Sequence, residues 1–339
     1  MIRAAVIGFG SIGQHHARIY HEMDGVELAA VADPSDTRRE RAARRFKVPT
    51  YLSHVELLEA EQLDVVSVTV PTMLHHPVAL AAIARGVNLL VEKPIAATVE
   101  QADDMIQAAA ARGVTLAVGH IERFNPAIVE LKRRLDHVEL GRIFQMQARR
   151  LSPFPSYVSD VGVVLDLATH ELDIMRYLLG CEASQLVADV GRNVHAAHED
   201  MLSAILRFTN GVVGVLDINW LTPAKIRELR ITGEGGMYLV DYIHQDLYFY
   251  QNAEAPSRWD TLALFRGVEE GDVLKLRVNK VEPLERELRS FVKAVSDHSQ
   301  PLVTGEDGRR ALILAQALLN SAREGRWLHV GPDGQFHWS

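Results

Sequence analysis

The 339-residue chain has a single cysteine, Cys181. One thiol closes no internal disulfide and builds no cysteine-rich metal site. No apolar run approaches the roughly 20 residues needed to span a bilayer. The chain opens directly in an apolar strand pattern, Ile2–Ile7, without the charged region, apolar stretch and cleavage site of a secretory leader. The expected location is therefore the cytoplasm, with no membrane partner. Net charge is −8. Apart from a short cluster at Arg38, Arg39, Arg41, Arg44 and Arg45 there is no basic stripe, which argues against nucleic-acid binding. That cluster is interleaved with Glu40 and reads as a solvated helix face. Repeats and low-complexity segments are lacking too. The length suffices for two domains with sizeable cores.

What is present falls into two rhythms. Residues 1–119 alternate apolar strand patterns near 2–7, 26–32, 64–70, 87–91 and 114–118 with helical patterns near 14–23, 35–46, 53–60, 76–85 and 99–112. This is the βαβ rhythm of a doubly wound parallel sheet, an α/β domain. Thr98 is placed to cap the last of these helices and Gly113 to end it. From 120 to 339 strand patterns follow one another: 143–150, 184–192, 201–208, 212–220, 228–232, 237–243 and 246–250. Helical patterns lie near 126–136, 166–179, 283–297 and 305–324. The expectation is an α+β domain with a large, mostly antiparallel sheet. Residues 252–280 are poorly patterned and read as a loop or an oligomer contact.

The first strand runs into Gly8-Phe9-Gly10-Ser11-Ile12-Gly13, with a helix pattern behind it. In such a Rossmann-type turn Gly8 permits the tight bend, Gly10 lets backbone approach a pyrophosphate, and Gly13 lets helix and strand pack closely. The helix N-terminus offers N–H groups to phosphates. Asp33 ends the second strand, where an acid hydrogen-bonds the adenosine ribose hydroxyls. A carboxylate there repels a 2′-phosphate and favours NAD over NADP, although Arg38 is close enough to reach one.

Two further constellations carry chemistry. Lys93, in Glu92-Lys93-Pro94, follows the buried strand pattern Val87–Val91 and points into the ligand crevice of an open sheet. A lysine merely snorkelling from a strand end gives the same pattern. Near mid-chain, Asp166 and His170 share one helix face at i and i+4. A carboxylate beside an imidazole fixes its tautomer and raises its basicity, as a general base requires. A surface helix pair gives the same spacing. Asp173 extends that face, but no further nitrogen or sulfur ligand lies nearby, so no metal is expected.

Gly8-x-Gly10-x-x-Gly13 with His16, Val70-Pro71-Thr72-x-x-His75, Glu92-Lys93-Pro94, and Gly162-x-x-x-Asp166-x-x-x-His170 resemble, in order and spacing, the Gfo/Idh/MocA family of nicotinamide-dependent sugar and cyclitol oxidoreductases. The resemblance spans essentially the whole chain. It implies cofactor contacts from Phe9, Ser11, Ile12, Pro71, Thr72, His75, Glu92 and Lys93 besides the glycines, Asp33 and Arg38. It assigns Lys93 to the nicotinamide region and the reacting hydroxyl, and His170 to acid/base duty with Asp166 beside it. It also implies a cis Lys93–Pro94 bond.

The segment Val118–Pro126 is similar to that of family members that oxidise the 3-hydroxyl of UDP-N-acetylglucosamine. The substrate contacts expected on this basis are Lys93, Asp166 and His170, with Arg123 for an anionic group and Asn125 for a hydroxyl or acetamido group. An ion pair for Arg123 and a helix cap for Asn125 are equally open. Arg149 and Arg150, at the end of a strand pattern, are candidates for a diphosphate, and Tyr157 for a loop over substrate. An inositol or free-sugar dehydrogenase shares every one of the catalytic residues. The family also includes a non-catalytic repressor, against which retention of Lys93, Asp166 and His170 argues. A sheet face bearing Val213, Val215, Trp220, Tyr238, Tyr242, Tyr248 and Tyr250 is expected to be buried in a homodimer or homotetramer.

Overall fold

The structure, a computed structural model, describes residues 1–154, 161–195, 197–252, 270–331 and 335–338. It divides into two compact units. One comprises residues 1–121 and 282–313, the other 122–281 and 314–339. The division is thus not linear, unlike the consecutive domains read from the sequence. The boundary at the C-terminal end falls within one long helix, Gly305–Glu324.

The first unit opens with β1 (Ile2–Ile7), α1 (Ser11–Glu22), β2 (Val26–Ala32), α2 (Asp36–Phe46), β3 (Thr50–Tyr51) and α3 (His54–Ala60). It continues through β4 (Val65–Val68), α4 (His75–Ala84), β5 (Asn88–Glu92), α5 (Val99–Arg112) and β6 (Leu116–Gly119). The six strands lie in the order β3-β2-β1-β4-β5-β6, every pair parallel. Each crossover helix covers a sheet face, so the strands are buried on both sides and read as continuous apolar runs. The order reverses between β1 and β4, where such sheets bind ligands. Helix α1 begins three residues earlier than its sequence pattern, directly behind Gly10. Helix α5 has the expected ends: Thr98 Oγ1 accepts from the Gln101 N–H at 3.3 Å, and Gly113 takes φ +65°.

The second unit contains α6 (Pro126–Asp136), β7 (Ile143–Leu151), α7 (Thr169–Leu179), β8 (Ala183–Gly191), β9 (Met201–Phe208) and β10 (Val213–Asn219). Beyond these lie β11 (Ile226–Gly233), β12 (Gly236–Asp241), β13 (Asp246–Asn252) and β14 (Glu270–Leu276). Strand β14 falls in the stretch that showed no pattern. Residues 253–269 of that stretch lie outside the described residues. With β15 (Leu328–Val330) and β16 (Phe336–Trp338) the sheet has ten strands, in the order β14-β13-β12-β11-β7-β10-β9-β8-β15-β16. All neighbours are antiparallel except β7 and β10. One sheet face packs under α6, α7 and the end of the long helix, around Ile128, Leu172, Met175 and Leu318. Trp220, Tyr238 and Tyr242 belong to this core. They were expected on the other face together with Val213, Val215, Tyr248 and Tyr250. Only the latter four remain partly exposed.

The chain then returns to the first unit with α8 (Pro283–Ser296). Leu284, Leu288, Phe291 and Val295 share one face of it and join Phe9, Ala17, Tyr20 and Phe46 in one core. Their spacing announces an amphipathic helix but not which core receives it.

Candidate active site

The Gly-rich turn is built by close approach. Gly8 takes φ +96°, and a Cβ there would meet the Thr69 carbonyl oxygen at 2.6 Å. A Cβ on Gly13 would overlap the Gly8 carbonyl oxygen. Gly10 differs: no described atom lies within 4 Å of where its Cβ would be. Packing therefore requires glycine at 8 and 13 but not at 10. No side chain caps α1, whose N-cap is Gly10. An open approach to an uncapped helix N-terminus, with Phe9, Ser11 and Ile12 around it, suits a pyrophosphate.

Asp33, at the end of β2, is buried and braces this turn. Its Oδ2 accepts from the Phe9 N–H at 2.7 Å and its Oδ1 from the Ser35 N–H at 2.9 Å. Arg38, half exposed, places Nη1 3.5 Å from Oδ2. The carboxylate is thus held rigidly where a ribose would be read, with a neighbouring cation. These features fit NAD.

Glu92 closes β5 and sits at one end of a buried polar chain. His16 Nε2 lies 3.1 Å from Glu92 Oε1, and His16 Nδ1 lies 2.9 Å from Ser67 Oγ. Ser67 Oγ lies 2.8 Å from the Tyr20 hydroxyl. The Lys93 N–H donates to Glu92 Oε2 at 3.2 Å. Burial pushes the Glu92 carboxyl up, but the hydrogen bond and charge of His16 and the charge of Lys93 outweigh it and hold it below the usual range. Burial pushes the Tyr20 phenol well up, and Glu287 of α8 adds to this. The Lys93–Pro94 peptide bond is cis.

His75 begins α4, just after the short turn Thr72–Leu74, and is buried. Its Nδ1 is 2.9 Å from the Pro94 carbonyl oxygen and its Nε2 2.9 Å from that of Val70. It stitches the Val70-Pro71-Thr72 segment to the residue after Lys93. Burial holds its imidazole below the ordinary value.

Asp166 and His170 lie in the second unit, on the segment that becomes α7. The helix starts earlier than its sequence pattern, and residues Val164–Ala168 form a π turn before regular helix begins at Thr169. Such turns recur at functional sites. The Thr169 hydroxyl donates back to the Leu165 carbonyl at 3.1 Å. Glu199 supports the start: its carbonyl accepts from the Val163 N–H at 2.9 Å and its Oε1 from that of Val164 at 3.2 Å. A Cβ on Gly162 would overlap this carboxylate, so glycine precedes the turn by packing. His170 is 9% exposed and Asp166 is partly exposed.

Beneath α7 lies a cluster of buried charges that sequence reasoning missed as a unit. Arg150 sets Nε 2.5 Å from Glu171 Oε1 and Nη2 2.7 Å from Glu122 Oε1. The Tyr242 hydroxyl donates to Glu171 Oε2 at 3.1 Å. Burial pushes the Glu171 carboxyl up, partly offset by Arg150. Arg123 forks onto Asp173, and both are buried. Asn125 caps α6, accepting from the Ala127 N–H at 3.1 Å, and donates to the Tyr242 carbonyl at 3.1 Å. The signal was available: acids and an arginine interrupt an otherwise apolar helix at Glu171, Asp173 and Arg176. In the first unit, Ser67 interrupts Val65-Val66-Ser67-Val68 in the same way.

Arg149 and Arg150 point to opposite sheet faces, as neighbours on a strand must. Arg150 faces α7. Arg149 faces away from it, 3.4 Å from Asp217 and 3.8 Å from Glu228. Tyr157 lies outside the described residues. Lys93 belongs to the first unit, Asp166 and His170 to the second. No group of three or more His, Cys, Asp or Glu able to hold a metal occurs among the described residues, and no helix there is long and apolar enough to cross a membrane.

Comparison with known proteins matches residues 2–120 to an oxidoreductase family with an NAD-binding Rossmann fold, and residues 128–239 to the GFO/IDH/MocA C-terminal domain. The chain is 32% identical to UDP-N-acetylglucosamine 3-dehydrogenase of Acidithiobacillus ferrooxidans, over 93% of its own length and 95% of the relative's. It is 27% identical to scyllo-inositol 2-dehydrogenase (NAD(+)) of Bacillus subtilis, over 96% and 95%. The solved structure of the Acidithiobacillus ferrooxidans enzyme superposes with a TM-score of 0.84 at 29% identity, covering 95% of this chain and 98% of that one.

Proposed function

Because the chain belongs to the Gfo/Idh/MocA oxidoreductase family and is an NAD-binding dehydrogenase of sugar or polyol hydroxyls, we propose that it oxidises the C3 hydroxyl of UDP-N-acetylglucosamine. The observation that carries this is the 32% identity over nearly the full length of both chains with an enzyme of that name. Oxidation of a secondary alcohol removes a hydride from carbon and a proton from oxygen. NAD⁺ supplies the hydride acceptor. His170 takes the proton, with Asp166 four residues earlier to hold the imidazolium. Lys93, charged, stabilises the alkoxide as it develops, a contribution of about 3–4 kcal/mol for one well-placed donor.

Burial limits what the neighbouring residues do in this scheme. Arg123 and Asn125 have almost no exposed surface and are engaged with Asp173, Ala127 and Tyr242. We assign them to shaping the helix that presents His170. Tyr157 remains a proposed substrate contact.

A second reading, an inositol dehydrogenase, is supported by the Bacillus subtilis relative. NADH formation with UDP-N-acetylglucosamine, inositol and free glucose, each with and without a 2-oxo acid as reoxidant, separates the two. The nucleotide sugar is expected to exceed the others in kcat/KM. Preference for inositol would replace the first reading with the second. Lys93→Met and His170→Ala are each expected to lose about 10²-fold or more in kcat. Near-native kcat in either would refute the assigned role.

We further propose a cytoplasmic homodimer or homotetramer. Across the sheet face opposite α7, Val187, Ile205 and Val215 lie side by side, with Leu239 and Tyr248 in the same row beyond Gln147 and Arg230. A second copy of this face is its proposed cover.

A further inference from the structure

His16 is left without a task by the reaction as drawn, yet it is fully buried in contact with the residue beside Lys93. We propose that His16, acting through Glu92, is a positioning residue for Lys93. This rests on the role given to Lys93 above.

The ends of the chain fix its outer hydrogen bonds. Glu92 is a carboxylate and can only accept. His16 therefore carries a proton on Nε2 and donates to Glu92 Oε1. Its Nδ1 is hydrogen-bonded to the Ser67 hydroxyl, which in turn accepts from Tyr20. Tyr20, a buried phenol, stays protonated and donates. Every member is engaged: Tyr20 with Ser67, Ser67 with His16, and His16 with Glu92. Glu92 Oε2 meanwhile receives the Lys93 N–H. The carboxylate is thus gripped from α1 on one side and grips the Lys93 backbone on the other. It is also packed against Gly119, where a Cβ would lie 3.0 Å from its carboxyl carbon. On the far side of Lys93, His75 reaches the Pro94 carbonyl. Both neighbours of Lys93 are therefore fixed by buried histidines, His16 at 0% and His75 at 1% exposure. A misplacement of about 1 Å in a reacting group costs about 10²-fold in rate, so such bracing bears directly on turnover.

The test compares His16→Ala, His16→Gln and Tyr20→Phe with the parent enzyme. Glutamine offers an amide N–H near the Nε2 position and keeps the donation to Glu92. Expected are a loss of about 10²-fold in kcat for His16→Ala, recovery of most of it in His16→Gln, and a smaller loss in Tyr20→Phe. The dissociation constant for NADH should change far less than kcat, since Lys93 is one of many cofactor contacts and the Gly8–Gly13 turn is untouched. A second arm needs no substrate: the rate at which trinitrobenzenesulfonate modifies Lys93, read by peptide mass spectrometry against surface Lys47 as internal reference. That ratio should change at least about twofold in His16→Ala and return in His16→Gln. Because this arm is independent of turnover, it judges the positioning even where no nucleotide sugar is oxidised. An unchanged labelling ratio in His16→Ala would overturn the proposal. So would a kcat loss that His16→Gln, folded with parental Tm, fails to recover.

Discussion

Arg123 and Asp173 form a two-pronged buried ion pair, with Nε 2.8 Å from Oδ2 and Nη2 2.6 Å from Oδ1. It ties the residues preceding α6 to α7, three residues beyond His170. A pair this buried contributes little net stability over an apolar pair, but removing one partner strands a charge at about 3–5 kcal/mol. Arg123→Met and Asp173→Leu are each expected to lose stability of that order in urea denaturation, and the double variant to regain most of it. Were Arg123 instead a substrate contact, Arg123→Met would raise KM and leave the unfolding midpoint in place.

The glycines of the cofactor turn separate packing from binding. A Cβ at Gly13 overlaps the Gly8 carbonyl oxygen, whereas one at Gly10 meets no described atom within 4 Å. Gly13→Ala should therefore lower Tm by several degrees, about 1 kcal/mol corresponding to about 2–4 °C at 150–250 residues. Gly10→Ala should leave Tm without NAD unchanged and weaken NAD affinity about tenfold or more, one decade being about 1.4 kcal/mol. Calorimetric titration and thermal melts on both variants read the two effects apart. Equal Tm losses would show that Gly10 is a packing glycine as well.

Acidity should find His75. Burial sets its folded-state value below the ordinary 6.5, against the opposing pull of the Pro94 and Val70 carbonyls and of the Glu92 charge. The unfolded chain then binds the proton more readily than the folded one below about pH 6.5. Stability from this group is fully present above the unfolded value and is lost as pH falls through the folded one. Tm should hold steady from about pH 8 to 7 and decline toward pH 5, more shallowly in His75→Asn. His54, lowered by burial in the same sense, leaves a residual slope in both. Identical slopes would acquit His75.

The parts legible in the sequence are those in which local pattern and burial coincide. Strands β1, β4 and β5 are buried on both faces, so their apolar runs stood out, and Gly8–Gly13 lay between recognisable elements. Lys93, Asp166 and His170 are proposed from spacing and resemblance alone. Less legible were choices made by tertiary packing. Arg149 and Arg150 were read together as diphosphate ligands, whereas Arg150 is buried on Glu171 and Glu122 and Arg149 lies on the other face beside Asp217. Alternation does not say which sheet face meets α7, and this put Trp220, Tyr238 and Tyr242 on the wrong side of the sheet. The face of α8 was visible, its destination in the first core was not. The π turn at Val164–Ala168 leaves no mark on a 3.6-residue period, and the chain from Tyr20 to Glu92 joins three segments far apart in sequence.

The open sheet face offers a final prediction. Ile205 is 41% exposed and lies between Val187 and Val215 in register. In a lone subunit, replacing an exposed side chain there costs within about 0.5 kcal/mol. In a symmetric assembly the same change sets glutamates on both apolar faces, and desolvating them costs several kcal/mol per ion. Ile205→Glu is therefore expected to sediment as a monomer at micromolar concentration, where the parent sediments as a dimer or tetramer, with the far-UV spectrum unchanged. A parent protein that is itself monomeric would show that this face needs no second copy. In that case the partly exposed row from Val187 to Tyr248 must be tolerated by water as it stands.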